Sequence, residues 1–474
     1  MFPTRILEIF NDLSAVPRGS GNMEQISEYC VDFAKKHSLK YVKDELKNVI
    51  IYKEGTKGYE NSDPVILQGH LDMVCQKTED CEKDFLKDGI DVYFDGDVLR
   101  AKGTTLGADN GIAVAMIMSI LESNDIPHPP IEAVFTTDEE IGMYGALALD
   151  GSLFKAKKMI NLDGEEQDTV IVSCAGGTDI KATVKVTRET KKGTLVTVAL
   201  KGLKGGHSGV EINSGRINSN ILAGRFLNYM RDVADFDIIS VNGGDKSNAI
   251  PNSTEIKLCV YNKEDFVLKA NECLDVIKNE MSDREPDFSP VVTTGEEKEY
   301  KVFSKELKEK IIYVVSSAFN GVMTFSVNID GLVETSLNFG IFKTEEESLT
   351  ILFSLRSSKE TAMEALKRKL TTFLSLVTDD IESSGYYPPW EYKQDSSLRE
   401  LYKKIYKDSF GEEPKVEAIH AGLECGVFSS KIKGLDCISI GPDMWEVHTV
   451  NERLSVSSAI RTFNLLCELL EHCK

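Results

Sequence analysis

Apolar and polar positions follow two periods along the chain, and the period changes with position. TRILEIFNDLSAV and NGIAVAMIMSILES carry apolar residues at helical spacing, whereas KNVIIYK, VILQGH and AVFTTDEE contain short apolar runs of strand length. Helical and strand-like segments that alternate in this way are typical of a parallel or mixed sheet covered by helices. The sequence therefore predicts an α/β domain up to about residue 175.

Beyond residue 175 the pattern changes. KATVKVTRET and TLVTVALKG alternate β-branched with polar residues, and the helical segments SNILAGRFLNYMRDVA, KEDFVLKANECLDVIKNEM and SKELKEKIIYVVSSAF follow. This texture predicts a separate α+β domain over residues 176–385. After YYPPWEY, whose paired prolines disfavour helix, SSLRELYKKIYKDSF, VEAIH and LDCISIG restore the α/β alternation. We therefore expect an insertion that divides the α/β domain into residues 1–175 and 386–474.

Composition and charge exclude some classes of binding partner and indicate where the protein is located. A chain of 474 residues, 41% of them hydrophobic, can bury a large core and form more than one domain. Its formal charge of −21 argues against nucleic acid or an anionic membrane, because both require a basic surface. The first residues lack the order of a signal peptide, and no apolar stretch approaches the length of a membrane span. Ten cysteines without a C-x-x-C pair indicate reduced thiols, so we expect a cytoplasmic protein.

Acidic and histidine residues stand where strand-like runs end. His70 closes PVILQGH, Glu140 follows IEAVFTT, and Asp163 follows KMINL. In an open α/β sheet such positions meet at the carboxyl edge, where functional sites form. Together with Asp109 and His448, these residues are typical of the ligand set of a two-metal hydrolase.

Asp72 supports the interpretation of His70 as a ligand. Side chains two residues apart can point the same way, so Asp72 can accept a hydrogen bond from the ring nitrogen that His70 does not give to a metal. Asp109 and Asp163 also have simpler explanations, as an N-cap before a helical pattern and as the first residue of an Asp-Gly turn. A carboxylate at position 109 can equally bridge two cations, and both interpretations stay open.

Glu139 and Glu140 are adjacent acids that follow an apolar strand and precede IGMYG. Adjacent acids usually belong to a solvated face. At the end of a strand, however, one carboxylate can bind metal while the other takes a proton from water and passes it to a leaving amine.

Six segments occur in order over nearly the whole chain: GHLDMVCQK, TTLGADNGIAVA, TTDEEIGMYGA, INLDGEE, GGHSG and SNAIP. Together they resemble the M20 metallopeptidase family, in particular its aminoacyl-histidine dipeptidase branch. The resemblance implies a di-zinc aminopeptidase-like catalytic domain, a mixed sheet with helices on both faces, interrupted by an α+β lid domain. It also implies hydrolysis of Xaa-His and other dipeptides with two zinc ions, for which manganese or cobalt can substitute.

The resemblance also implies roles for individual residues near the metals. Asp109 would bridge the two ions, with His70 and Asp163 on one side and Glu140 and His448 on the other. In the same scheme the carboxylate of Asp72 would orient a ligand and that of Glu139 would be the general base.

Four further residues match the family by motif. His207 in GGHSG would stabilise the negative charge that develops on the scissile carbonyl, although an isolated match would favour a flexible loop. Asn248 and Arg356 would bind the substrate, with the guanidinium suited to a free carboxylate. Arg356 could otherwise be a surface cation. Gly422 would let backbone approach the substrate, or it is simply a glycine at a helix start.

The substrate is less constrained than the metal set. The same scaffold would serve a tripeptidase, a carboxypeptidase or an N-acyl amino acid hydrolase, because the pocket selects the acyl group. A non-catalytic metal- or peptide-binding protein is a further alternative, although no ligand or base is missing. The family also suggests a homodimer formed through the lid domain.

Overall fold

The computed structural model describes residues 4–474, which divide into two compact units. Unit 1 comprises residues 4–174, Trp390–Ala418 and Leu423–Lys474, and unit 2 comprises Ala175–Pro389 and Ile419–Gly422. The chain thus leaves unit 1 twice, once for a long insertion and once for a segment of four residues.

The helices form where apolar residues recur on one face. In α1, Ile6, Leu7, Phe10 and Leu13 are buried at the spacing of a single helix face. The described α-helices are α1 (Arg5–Ser14), α2 (Glu24–Lys36), α3 (Ala108–Glu122), α4 (Tyr144–Ala148), α5 (Ser219–Val233), α6 (Lys263–Met281), α7 (Lys305–Ser317), α8 (Glu360–Leu374), α9 (Ser397–Phe410), α10 (Glu424–Lys431) and α11 (Val456–His472), with a 3-10 helix at Gly151–Leu153.

The strands are mostly short in unit 1 and longer in unit 2. They are β1 (Lys40–Lys43), β2 (Val49–Lys53), β3 (Val65–His70), β4 (Val92–Asp95), β5 (Val98–Ala101), β6 (Ile131–Thr136), β7 (Lys158–Asn161), β8 (Thr169–Cys174), β9 (Gly176–Lys185), β10 (Arg188–Leu200), β11 (Gly206–His207), β12 (Phe236–Gly243), β13 (Ala249–Ile250), β14 (Thr254–Val260), β15 (Val291–Phe303), β16 (Gly321–Phe325), β17 (Val333–Thr344), β18 (Ser348–Ser357), β19 (Ile381–Tyr387), β20 (Lys415–Ile419), β21 (Asp436–Ser439), β22 (Met444–Trp445) and β23 (Arg453–Ser455).

Unit 1 is built on an eight-stranded mixed sheet in the order β1-β2-β6-β3-β7-β21-β8-β20. The central strands β6, β3, β7 and β21 are parallel neighbours, whereas β2 and β8 pair antiparallel with them. In register, His70 lies beside Thr136 of β6, and Gln68 lies beside Asn161 of β7. The carboxyl ends of three strands therefore meet at one edge of the sheet. A separate sheet has the order β22-β23-β5-β4.

Unit 2 contains a nine-stranded antiparallel sheet in the order β15-β10-β14-β12-β17-β18-β9-β19, with β16 paired to β17. Helix α5 packs against α7 and β14, and α8 packs against β9 and β18. Their shared core includes the buried aromatic residues Phe226, Phe266, Phe339 and Phe353. A two-stranded sheet pairs β11 with β13.

This architecture confirms the predicted fold class, a mixed α/β sheet and an inserted α+β region. Each strand or helix named in the sequence patterns has a counterpart, from α1 to β21. All ten cysteines are free, as the absence of a C-x-x-C pair suggested. Within residues 4–474, no helix combines the length and apolar character needed to cross a bilayer.

Candidate functional site

The five candidate ligands of unit 1 come from separate elements that end at the same edge of the sheet. His70 is the last residue of β3, Glu140 follows β6 by four residues, and Asp163 follows β7 by two. Asp109 lies in the first turn of α3, and His448 lies in the loop between β22 and β23. Parallel strands β6, β3 and β7 therefore place three of the five candidate ligands side by side.

The ligand atoms of these residues converge. His70 Nε2 lies 3.0 Å from Asp109 Oδ1 and 3.5 Å from Asp163 Oδ1. His448 Nε2 lies 3.0 Å from the other oxygen, Asp109 Oδ2, and 2.9 Å from Glu140 Oε1. Around a tetrahedral zinc with bonds of about 2.0–2.1 Å, ligand atoms lie about 3.3 Å apart. The separations therefore suit two cations that share the Asp109 carboxylate.

Asp109 does not cap helix α3, so the simpler explanation from the sequence is wrong. The N-cap is Gly107 with φ of +68°, and no side-chain cap bond is present. Asp109 itself has ψ of 105°, outside the helical range, and a cis peptide bond joins it to Asn110. The side chain of Asn110 accepts from the His70 amide at 3.1 Å and donates to Asp163 Oδ1 at 2.9 Å, so it connects two ligands.

Asp72 contacts both the Glu139–Glu140 backbone and the His70 ring. Its carboxylate accepts the backbone N–H groups of Glu139 and Glu140 at 3.0 and 3.1 Å, and the hydroxyl of Ser20 at 2.9 Å. The Nδ1 atom of His70 lies 3.5 Å from Asp72 Oδ1 but 3.2 Å from the Asp72 carbonyl oxygen. Asp72 therefore orients the His70 ring through its backbone at least as closely as through its carboxylate.

The side chains of Glu139 and Glu140 have different surroundings. Glu140 approaches His448, whereas the Glu139 carboxylate has no hydrogen-bond or ion-pair partner within residues 4–474. Burial raises the pKa of Glu139 well above its ordinary value, and the carboxylates of Asp163 and Glu424 raise it further, whereas His70 lowers it. A carboxyl group with a raised pKa and no partner can both take and give a proton near neutral pH.

Charge in the cluster is unbalanced. Burial raises the pKa of Asp163 to about 6, and Asp109 and Glu140 contribute. Although burial opposes it, the rings of His448 and His70 lower the pKa of Asp109, while Asp109 and Glu140 raise the pKa of His448 to about 11. Carboxylates outnumber histidines here, and divalent cations would neutralise the excess negative charge. The donor set therefore fits metal ions.

Glu452 and Arg18 hold the loop that carries Asp109, and neither was predicted. Both are buried. Glu452 Oε2 accepts the N–H groups of residues 106 and 107 at 2.9 and 3.0 Å, and Oε1 accepts those of 108 and 109 at 2.8 and 3.3 Å. Arg18 donates to the carbonyl oxygens of Leu71 and Gly107. Their only sequence signal is a charged residue in NERLSV and in PRGSGN.

Glu424 is a second buried carboxyl that the sequence did not reveal. Its Oε2 accepts the Thr136 hydroxyl at 2.6 Å and the Gln68 side-chain amide, beneath the strand ends. Burial raises the pKa of Glu424 to about 8. At the start of α10 it resembles an ordinary acidic residue of a first helical turn.

In unit 2, His207 ends β11, and Asn248 immediately precedes the paired strand β13. His207 pairs with Ala249 between β11 and β13, and the Asn248 carbonyl accepts the Ser208 amide at 2.9 Å. The N–H groups of Gly209 and Val210 both point to His207 Nδ1 at 3.3 Å, so Nδ1 is the acceptor and Nε2 carries the proton. Burial and the Arg356 charge lower the pKa of His207. The ring is a neutral donor.

Arg356 is not the surface cation that the sequence left open. The side chain lies at the end of β18 and is 8% exposed. Gly422 immediately precedes Leu423, the N-cap of α10. His37, His128 and His472 lie outside the two residue clusters. His420, which no sequence motif marked, is buried and bonds Ser336 Oγ through Nε2 at 2.7 Å.

Known proteins resemble the chain over almost its whole length. A family model described as peptidase family M20/M25/M40 matches residues 66–472. The cytosol non-specific dipeptidase of Escherichia coli strain K12 is 35% identical over 473 residues, covering 99% of this chain and 97% of the relative. The crystal structure of aminoacylhistidine dipeptidase from Vibrio alginolyticus has a TM-score of 0.89 at 35% identity, covering 99% and 96% of the two chains. Aminopeptidase PepT from Bacillus cereus ATCC 10987, with a TM-score of 0.57 at 16% identity over 99% and 98%, shows the fold alone.

Proposed function

The chain belongs to peptidase family M20/M25/M40, and we propose that it is a metal-dependent dipeptidase that hydrolyses Xaa-His and other dipeptides. The observation that carries this proposal is the convergence of His70, Asp163, Glu140 and His448 around Asp109. The nearby Glu139 carboxylate has no hydrogen-bond or ion-pair partner within residues 4–474. Its support includes 35% identity over the full length to a dipeptidase.

The proposed ligands divide into two sets that share Asp109. One set adds His70 and Asp163, and the other adds Glu140 and His448. Three of them, His70, Asp109 and Glu140, offer ligand atoms that all lie within 4.8 Å of one another. Nitrogen and carboxylate ligands suit zinc, and also manganese or cobalt, so we propose two zinc ions per chain. Bound cations would supply Lewis acidity, which polarises the scissile carbonyl and makes a water molecule more acidic.

Glu139 is the proposed general base. Its carboxylate takes a proton from the attacking water and later gives it to the leaving amine, which requires a pKa closer to neutrality than that of an ordinary glutamate. Its burial among other carboxylates supports this role. Asp72 orients both adjacent glutamates, because it binds their two backbone N–H groups.

Unit 2 supplies the proposed substrate contacts. The Nε2–H group of His207 is assigned to the carbonyl oxygen on which negative charge develops, since the ring is neutral with a defined tautomer. The Arg356 guanidinium is assigned to the C-terminal carboxylate. Asn248 and Gly422 are proposed as further polar and backbone contacts.

The central experiment replaces Glu139 with glutamine, which keeps the shape and removes the base. We expect Glu139→Gln to bind zinc as the wild type does and to lose at least about a hundredfold in kcat on an Xaa-His dipeptide. A matched control is Glu413→Gln, an exposed glutamate 3.2 Å from Lys407. Wild-type turnover by Glu139→Gln would refute the assignment.

The substrate class is tested with a panel of dipeptides, tripeptides, C-terminally extended peptides and N-acetyl amino acids. The panel is run on chelated and metal-restored protein. Activity confined to tripeptides or N-acetyl amino acids would replace the dipeptidase proposal. Tight peptide binding without product release would support the non-catalytic alternative.

We also propose a cytoplasmic location, which the name of the Escherichia coli relative supports. The substrate is a small peptide, and the net charge of −21 disfavours nucleic acid as a partner. A homodimer through unit 2 stays a prediction, tested by measuring the mass of the protein in solution.

A further inference from the structure

Unit 2 contains a cavity of about 430 Å³ that Arg356, Tyr387, Asn248 and Lys246 help to line. Arg356 enters it from β18 and Tyr387 from β19, the edge strand. Both positions face Gly177 of the intervening strand β9 in the sheet register. Side chains paired in this way stand on the same face of a sheet.

Arg356 is buried without a counter-ion. Its side chain is 8% exposed, and within residues 4–474 no carboxylate forms an ion pair with it. Nη1 donates to the Tyr387 phenol oxygen at 2.8 Å, while the buried Nε has no hydrogen-bond partner in the described part of the chain. A buried guanidinium without a counter-ion destabilises the fold, so its presence in this cavity indicates an anionic ligand.

Gly177 allows the phenol to reach the guanidinium. A Cβ atom at this position would lie 2.5 Å from the Tyr387 Oη and 2.6 Å from its Cζ. Since real atoms never approach so closely, the Tyr387 ring must lie directly over the glycine. Any larger residue would displace the ring and its hydroxyl from Arg356.

Neutral groups border Arg356 on the opposite side. Ser336 of β17 pairs with Arg356 in register, and its hydroxyl bonds the His420 Nε2 at 2.7 Å. Burial, with the Arg356 charge second, lowers the pKa of His420 to about 3, so the ring is uncharged at neutral pH. The cavity lining therefore carries two cationic side chains, Arg356 and Lys246, and one acidic side chain, Asp179, so its net charge is positive.

We propose that Tyr387, seated over Gly177, holds the Arg356 guanidinium in the orientation that binds the C-terminal carboxylate of the substrate. Tyr387 is thus a positioning residue that makes the enzyme specific for peptides with a free carboxylate. The inference rests on the proposed function, and it adds the residue that positions Arg356.

The test compares an Xaa-His dipeptide with its C-terminal amide as substrates. Tyr387→Phe removes only the hydroxyl, so we expect KM for the free acid to rise about tenfold while kcat stays within about twofold. KM for the amide should not change, so the preference for the acid falls. Gly177→Ala should reproduce this split, and the double variant should be no worse than either single variant because both act through one contact.

The matched control is Tyr386→Phe. Tyr386 is adjacent, 46% exposed, and donates to Glu360 at 3.0 Å instead. It should keep the wild-type preference for the acid. If Tyr387→Phe changed KM equally for acid and amide, or left the preference for the acid unchanged, the role of Tyr387 would be refuted and the proposed function would stand. A wild-type protein that cleaves no dipeptide would overturn the proposed function first.

Discussion

The Glu452 carboxylate provides a quantitative test of how the candidate centre is held. It accepts four consecutive backbone N–H groups, two on each oxygen, from the loop that ends at Asp109. Glu452→Gln preserves the shape but turns one oxygen into an NH2 group. Two backbone donors then face another donor, and the buried Arg18 loses a nearby negative charge.

The expected cost follows from these contacts. A buried donor left without an acceptor costs about 1–3 kcal/mol, so two donors should lower the free energy of unfolding by about 2–6 kcal/mol. If the loop shifts to relieve this cost, the bridging carboxylate of Asp109 moves with it. Residues that orient metal ligands typically change metal affinity about 10–100-fold when they are replaced, and we expect a loss of that size.

Urea denaturation of the metal-free protein measures the first effect, and zinc competition with a chromophoric chelator measures the second. The control Glu413→Gln changes the same chemical group at an exposed position, and its free energy of unfolding should stay within about 0.5 kcal/mol of wild type. An unchanged denaturation midpoint together with unchanged zinc affinity in Glu452→Gln would refute the reasoning. The amides would then have another acceptor.

Two further predictions concern stability. Because burial lowers the pKa of His420 to about 3, protonation favours the unfolded chain. The free energy of unfolding should therefore fall as pH drops from about 6.5 towards about 3, by up to about 1.4 kcal/mol per pH unit. Denaturation at pH 6 and pH 5 should show a smaller decline for His420→Gln than for the wild type. The same decline in both proteins would contradict this. Gly69→Ala should destabilise unit 1 by about 1–3 kcal/mol, because its Cβ would lie 2.5 Å from the Asn110 Oδ1 and 2.9 Å from the Ala113 Cβ. A thermal midpoint equal to that of wild type would show that Asn110 can move freely.

Local sequence patterns were sufficient to predict the strands that carry the candidate ligands. The apolar runs before His70, Glu140 and Asp163 marked three buried strands, and parallel pairing placed their ends together. The periodicity of a strand or helix involves residues only a few positions apart, so it can be recognised in the sequence itself. The change of texture near residue 175 likewise marked a region with a different architecture.

Contacts between distant segments were decided only by the tertiary structure. Glu452 binds amides more than 340 positions earlier in the chain, and Gln68 binds Glu424 across 356 positions. Nothing near either glutamate distinguishes it from a solvated acid, because the difference lies in its burial and its partners. The same holds for Tyr387 and Gly177, whose contact with Arg356 exists only once three strands pair in one register. Periodicity predicts which face of a helix or strand is buried. Only the tertiary fold determines which polar groups contact the side chains on that face.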